Sequence, residues 1–111
     1  MNQVERIGEI VNLYRRHGWR LERVLLRPET ERDVAAAAGE LTEGASVNSA
    51  EFDALWFARP SHAGREAWEL RLVAETPYAL FESFEADEAE EDREDVRREM
   101  EARLADYAAR H

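Results

Sequence analysis

The first hydrophobic pattern along the chain is helical. Apolar residues recur at three- and four-residue spacing through residues 3–17, which predicts an amphipathic helix with one buried stripe. The stripe consists of Val4, Ile7, Ile10, Val11 and Tyr14. Gly18 follows at the position of a C-cap glycine, so we expect the helix to end there.

The next segments predict a strand, a short helix and a loop. Residues 19–27 alternate apolar and polar side chains, as a half-buried strand does, and Pro28 ends this pattern. The apolar face of that strand would carry Trp19, Leu21 and Leu25. Residues 29–38 predict a short helix with Thr30 as its N-cap. Residues 39–50, which are rich in Gly and Ser, predict a loop.

Three strands with short links follow. Residues 52–59, 67–75 and 78–84 are apolar or alternating and are separated by turn residues, which predicts an antiparallel meander. If these strands pair in register, one face of the sheet carries a group of large side chains. That group is Trp56, Trp68, Leu70, Leu72, Tyr78 and Leu80.

The last segment, residues 86–110, predicts the longest helix. Its apolar stripe consists of Val96, Met100, Leu104 and Tyr107. Extended toward the N-terminus, that stripe meets Arg93 and Ala89 instead of large apolar residues. The acidic start of this helix, residues 85–95, therefore has little to bury, and we expect it to project from the body of the protein.

The order of these elements predicts a single α+β domain over residues 1–111. Its sheet would have four mainly antiparallel strands, with the N- and C-terminal helices packed on one face. The opposite face is too apolar for a solvated surface. Either the 29–38 helix and the following loop cover it, or a second copy does, which would make the protein a homodimer. The candidate residues of such a dimer face are Leu55, Phe57, Val73 and Phe81.

The composition excludes several kinds of chemistry. The chain has no Cys and no Lys, which excludes disulfides, thiolate nucleophiles, Cys-ligated zinc and catalytic or phosphate-loop lysines. The three His are scattered without metal-ligand spacing, so we expect no catalytic centre, no cofactor and no metal. No secretory signal is visible, and no apolar segment approaches the ~20 residues of a membrane helix. We therefore expect a cytoplasmic protein without a membrane partner.

The net charge of −10 is unevenly distributed. Residues 1–27 carry six Arg and three acids, whereas residues 82–101 carry eleven acids and three Arg. A surplus of negative charge repels nucleic acid and attracts basic proteins. On the last helix one face would carry Glu88, Glu91, Asp92, Asp95 and Glu99. That face is the candidate surface for a basic partner, with a hard-cation site and a merely solvated helix face as alternatives.

Small size, segregated charge and the lack of a catalytic motif favour a non-enzymatic interaction module. Such a module would be an adaptor, a small chaperone or an inhibitor, including an acidic mimic of nucleic acid. The alternative is a small-molecule-binding domain or an enzyme, with a pocket near the 39–50 and 60–66 loops. The residues to line that pocket would be Trp56, Trp68, His62, Asn48 and Tyr78. A concavity that gathers His62 with two of those aromatic residues would support this alternative.

Overall fold

The computed structural model describes residues 1–37 and 39–111. Within them it contains three α-helices, which are α1 (Gln3–Arg16), α2 (Pro28–Ala37) and α3 (Glu90–Arg110). It also contains five strands, which are β1 (Arg20–Leu26), β2 (Ser46–Ser49), β3 (Ala54–Pro60), β4 (Glu66–Leu72) and β5 (Ala79–Phe84). The predicted α+β class is confirmed. None of the helices in the described residues is long and apolar enough to span a membrane.

The five strands form one mixed sheet in the order β2-β1-β3-β4-β5. β1 pairs in parallel with β2, and every other neighbouring pair is antiparallel. The prediction of four strands missed β2, which lies within the segment predicted as a loop. Its sequence, Ser-Val-Asn-Ser, has all four residues exposed. A strand held only by its backbone ladder to β1 leaves no hydrophobic pattern to detect.

Helices cover both faces of the sheet. One face, here called the α1 face, packs Leu55, Phe57 and Val73 against α1 and Val34 of α2. The other, the α3 face, packs the predicted group of large side chains against Met100 and Leu104 of α3. The prediction that the first and last helices share one face was therefore wrong. Because β3 is apolar at every position from Ala54 to Ala58, both faces have to be covered.

The burial of the α1 face also corrects the predicted dimer face. Leu55, Phe57 and Val73 are buried under α1 within the chain. A second copy would have to displace α1 to reach these three side chains. Phe81, the fourth candidate, is 59% exposed because it lies on β5, beyond the edge that α1 covers.

A bulge in β1 changes which side chains share a face. The register between β1 and β3 shifts between Leu21 and Arg23, and an extra residue at such a point reverses the alternation that follows. Leu21 consequently packs in the α1-face core, whereas Leu25 packs in the α3-face core. The prediction that these two leucines lie on one face was wrong for this reason.

The helix ends agree with the sequence signals in part. Asn2 caps α1 by accepting a hydrogen bond from the Glu5 N–H at 2.8 Å, and Gly18 follows α1 with φ +84°. α2 begins at Pro28, a residue suited to a first helical position. Thr30 is therefore inside the helix and is not its N-cap. The last residue predicted for this helix, Ala38, lies outside the described residues.

Candidate functional site

Arg97 is the centre of the polar contacts between α3 and the sheet. Its side chain is 2% exposed, and its guanidinium carbon lies 3.9 Å from the ring centroid of Trp68. Arg97 Nη1 donates to Glu90 at 2.6 Å and to Glu94 at 3.0 Å. Its Nε is buried without a hydrogen-bond partner in the described residues. The negative ring face of Trp68 provides a cation–π contact for the guanidinium.

Glu94 connects this centre to the strand below it. Its carboxylate receives a forked pair of hydrogen bonds from Arg23 of β1, at 2.7 and 3.0 Å, in addition to the bond from Arg97. The Arg23 hydrogen bonds, more than the one from Arg97, hold the pKa of Glu94 below its ordinary value. The charge of Glu94 is therefore paired within the protein, and it does not contribute to the unpaired negative charge on the surface.

Arg93 fixes the segment that was expected to project. Its guanidinium donates to the carbonyl oxygens of Glu85 and Glu88, at 2.6 and 3.2 Å, and lies 5.6 Å from the ring centroid of Phe84. Residues 85–88 form a turn closed by the hydrogen bond from the Glu88 N–H to the Glu85 carbonyl at 3.2 Å, and α3 begins at Glu90, four residues later than predicted. Arginine side chains thus attach the acidic start of α3 to the sheet, although the apolar stripe of the helix contains no large apolar residue in this part.

The outward side of α3 carries the carboxylates that the fold does not use. Glu91, Asp92, Asp95 and Glu99 are exposed, and spacings of three and four residues place them on one helical face about 12 Å long. Asp95 pairs with Arg98 at 2.9 Å, while the other three carboxylates form no ion pair with the described residues. We call these four residues the acidic face. Glu88, which was predicted to belong to it, lies before α3 and accepts a hydrogen bond from the Glu85 N–H.

The predicted pocket residues are dispersed over the molecule. Trp56 and Trp68 pack edge to face beneath α3, 5.7 Å apart, and both are buried. His62 is exposed in the β3–β4 connection. Tyr78 stacks on Tyr107 near the other end of β4, and Asn48 is exposed on the edge strand β2. His62 is therefore not gathered with the two buried tryptophans in the described part of the chain, and this geometry gives the pocket alternative no support.

Asp53 is a buried carboxylate that no pattern in the sequence marks. It is 3% exposed. Its oxygens accept hydrogen bonds from the Arg27 N–H, the Thr30 hydroxyl and the Gln3 amide at 2.8, 2.8 and 2.9 Å. With its acceptor sites occupied by the protein, this carboxylate, which directly precedes β3, joins α1, α2 and the residue between β1 and α2, and it has a structural role. Among the described residues, no group of three or more His, Cys, Asp or Glu is arranged to hold a metal ion.

The raised pKa of the Tyr14 phenol predicts that the protein loses stability at high pH. Burial first, and then its hydrogen bond to Glu69, raises the pKa of Tyr14 from 10.0 to about 12. The unfolded chain ionises this phenol at lower pH than the folded protein does, so the free energy of unfolding falls as pH rises from 10 toward 12. Urea unfolding at pH 8, 10 and 11 measures this. Tyr14→Phe should be less stable at pH 8 but lose less stability between pH 8 and 11. An equal loss in both proteins would contradict the prediction.

The acidic face of α3 is therefore the main charged feature of the described surface. The helix that bears it is attached to the sheet by the contacts of Arg93, Arg97 and Glu94. Comparisons with known proteins do not connect this arrangement to a function. No protein-family model matches the sequence, and no curated protein or solved structure is significantly similar to it.

Proposed function

We propose that this protein is a non-enzymatic interaction module that binds a basic protein through the acidic face of α3. The observation that carries the proposal is the division of the carboxylates in residues 90–101 of α3 into two sets. Glu90 and Glu94 bind the buried Arg97, and Glu101 accepts a hydrogen bond from Trp56 Nε1 at 2.8 Å. The acidic face is left to the solvent.

This division gives the acidic face the properties of a recognition surface. The inward contacts of Arg93, Arg97 and Glu94 fix the rotation of α3 on the sheet, so the backbone positions of the outward acids are set before a partner arrives. Positioned surface charges raise the rate of association and select partners of opposite charge. The attraction should weaken as salt rises, because exposed charges are screened over about 8–10 Å at 0.10–0.15 M ionic strength.

Neutralisation of the acidic face tests the proposal. The test variant replaces its four residues by their amides and is called the α3 variant; it carries Glu91→Gln, Asp92→Asn, Asp95→Asn and Glu99→Gln. The matched control neutralises four exposed acids elsewhere; it carries Glu9→Gln, Asp33→Asn, Glu43→Gln and Glu75→Gln. Both variants have the same net charge, so any difference between them reports the position of the charge.

Each protein is immobilised and used to capture proteins from a lysate of its source cells at low and at moderate salt, followed by mass spectrometry. We expect the wild type and the control to retain the same basic protein at low salt and to lose it at moderate salt. The α3 variant should fail to retain it at either salt concentration. Equal retention by the α3 variant and the control would exclude the acidic face as the binding surface.

A further inference from the structure

β5 is an edge strand that is neither bulged nor interrupted by proline. Among the described residues it pairs with β4 alone, in unbroken register from Glu66↔Phe84 to Arg71↔Ala79. Natural edge strands are commonly short, polar, bulged or interrupted by proline. β2, at the opposite edge, is short and fully exposed. β5 has six residues with apolar side chains at most positions, and its edge is therefore suited to an added strand.

The hydrogen-bond alternation shows which groups of β5 face outward. Leu72 N–H donates to the Tyr78 carbonyl at 2.9 Å, so even-numbered residues of β5 bond to β4 in this antiparallel ladder. The N–H and C=O groups of Ala79, Phe81 and Ser83 consequently point to the open edge. Ser83 supports this assignment, since its N–H donates to the Glu82 carboxylate at 3.1 Å. The amides of Ala79 and Phe81 are left for a pairing strand.

The side chains of β5 alternate between two kinds of surface. Phe81 lies on the α1 face of the sheet, opposite Glu69, and is 59% exposed. Glu82 lies on the α3 face, opposite Trp68. Directly opposed residues of neighbouring strands share a face and interact. A strand added to β5 would therefore meet a phenylalanine on one face and a carboxylate on the other.

We infer that β5 binds an extended segment of alternating apolar and basic residues by antiparallel strand addition. The inference rests on the proposed function, because it assigns the basic partner an extended segment that pairs with β5. Charge complementarity selects this occupant. Residues 82–95 carry nine acids and one Arg. This surplus of negative charge disfavours a second copy of this chain and favours a basic segment. Apolar residues of the segment contact Phe81, and basic residues contact Glu82.

A peptide of alternating arginine and valine, labelled with fluorescein, is the probe. Fluorescence anisotropy measures its binding to the wild type, to Phe81→Thr and to Val47→Thr, a control that changes the exposed apolar residue of the other edge strand. Threonine preserves β propensity in both variants. We expect Phe81→Thr to weaken binding about fivefold, as the loss of a cross-strand aromatic pair does, and Val47→Thr to bind as the wild type does. Circular dichroism melting checks that both variants fold.

Two N-methylated peptides test the backbone pairing. In the expected register, a valine of the peptide lies opposite Phe81 and exchanges two N–H···O hydrogen bonds with its outward N–H and C=O groups. The amides of the valines therefore face β5, and the amides of the arginines face away from it. Methylation of the valine amides should abolish binding, and methylation of the arginine amides should leave it unchanged. Equal binding of the two methylated peptides would overturn strand addition.

The outcomes separate this inference from the proposed function. Loss of peptide binding in the α3 variant, without a preference between the methylated peptides, would retain the acidic face and overturn the β5 site. Suppose instead that the two methylated peptides bind differently but the α3 variant captures the same protein from lysate as the control does. This result would support the β5 site and overturn the proposed function. A wild-type dimer in sedimentation equilibrium that Phe81→Thr dissociates would make a second copy the occupant, which also overturns the inference.

Discussion

Asp53→Ala should lower the free energy of unfolding by about 3–4 kcal/mol. The Asp53 carboxylate accepts hydrogen bonds from the Arg27 N–H and from the Thr30 hydroxyl, both at 2.8 Å. Thr30 is 2% exposed, so after the substitution its hydroxyl is left without an acceptor and without access to water. Leaving buried donors unsatisfied costs more than a hydrogen bond contributes when it forms, because the donor stays desolvated.

Chemical denaturation by urea measures this effect, with two variants for comparison. Glu51→Ala removes an exposed carboxylate two residues away and should change the stability by less than about 0.5 kcal/mol. Asp53→Asn keeps one acceptor oxygen but directs an amide donor toward the other donors, so it should fall between the alanine variant and the wild type. A loss below about 1 kcal/mol for Asp53→Ala would mean that water replaces the carboxylate.

Arg97→Ala should lower the free energy of unfolding by about 2–4 kcal/mol. The substitution removes a fully buried side chain between α3 and the sheet and leaves a cavity against Trp68 and Phe84. It also removes the cation–π contact with Trp68, which contributes about 0.5–2 kcal/mol. The ion pairs contribute less, since the Glu90 and Glu94 side chains are 72% and 37% exposed and regain water when Arg97 is gone.

Arg97→Met separates packing from charge. Methionine retains an unbranched chain against Trp68 and Phe84 but has no positive charge, so it should recover more than half of the stability lost in Arg97→Ala. Arg98→Ala, which removes an exposed neighbour paired with Asp95, should be nearly neutral. If Arg97→Met were as unstable as Arg97→Ala, the contacts with Glu90, Glu94 and Trp68 that need a cation would dominate the stability.

Arg97 also shows where sequence reasoning about the site falls short. The apolar stripe predicted for the last helix consists of Val96, Met100, Leu104 and Tyr107 and does not include Arg97. In the structure, Arg97 is buried and Val96 is half-buried. Arg97 lies three residues before Met100 and seven before Leu104, so the spacing was available as a signal. Its burial depends on the ring of Trp68, which no pattern within the helix contains.

All four members of the acidic face were predicted from the sequence, together with one residue that does not belong to it. Helical spacing alone groups Glu91, Asp92, Asp95 and Glu99, because the backbone geometry of a helix fixes which residues are neighbours. Glu88 was included in error, since the helix begins only at Glu90. The residues before it form a turn held by the guanidinium of Arg93. That contact joins residues on both sides of the boundary and is not encoded in the periodicity.

What the sequence by itself determined is local. The helical stripe of residues 3–17, the alternation that puts Trp56, Trp68 and Leu70 on one sheet face, and the segregation of charge are all visible in the chain. They follow from the fixed periods of helix and strand, 3.6 and 2 residues. Those periods determine which side chains of an element point together, and they are independent of what the element packs against.

What only the tertiary structure decided is the assembly of these elements. β2 is held by backbone pairing with β1, a contact that leaves no side-chain pattern. The bulge near Leu21 reverses the faces of β1, and α1 and α3 cover opposite faces of the sheet. Whether Phe57 is buried and Phe81 exposed depends on which strand α1 crosses. Such choices are made by long-range contacts, whose energies depend on residues far apart in the chain.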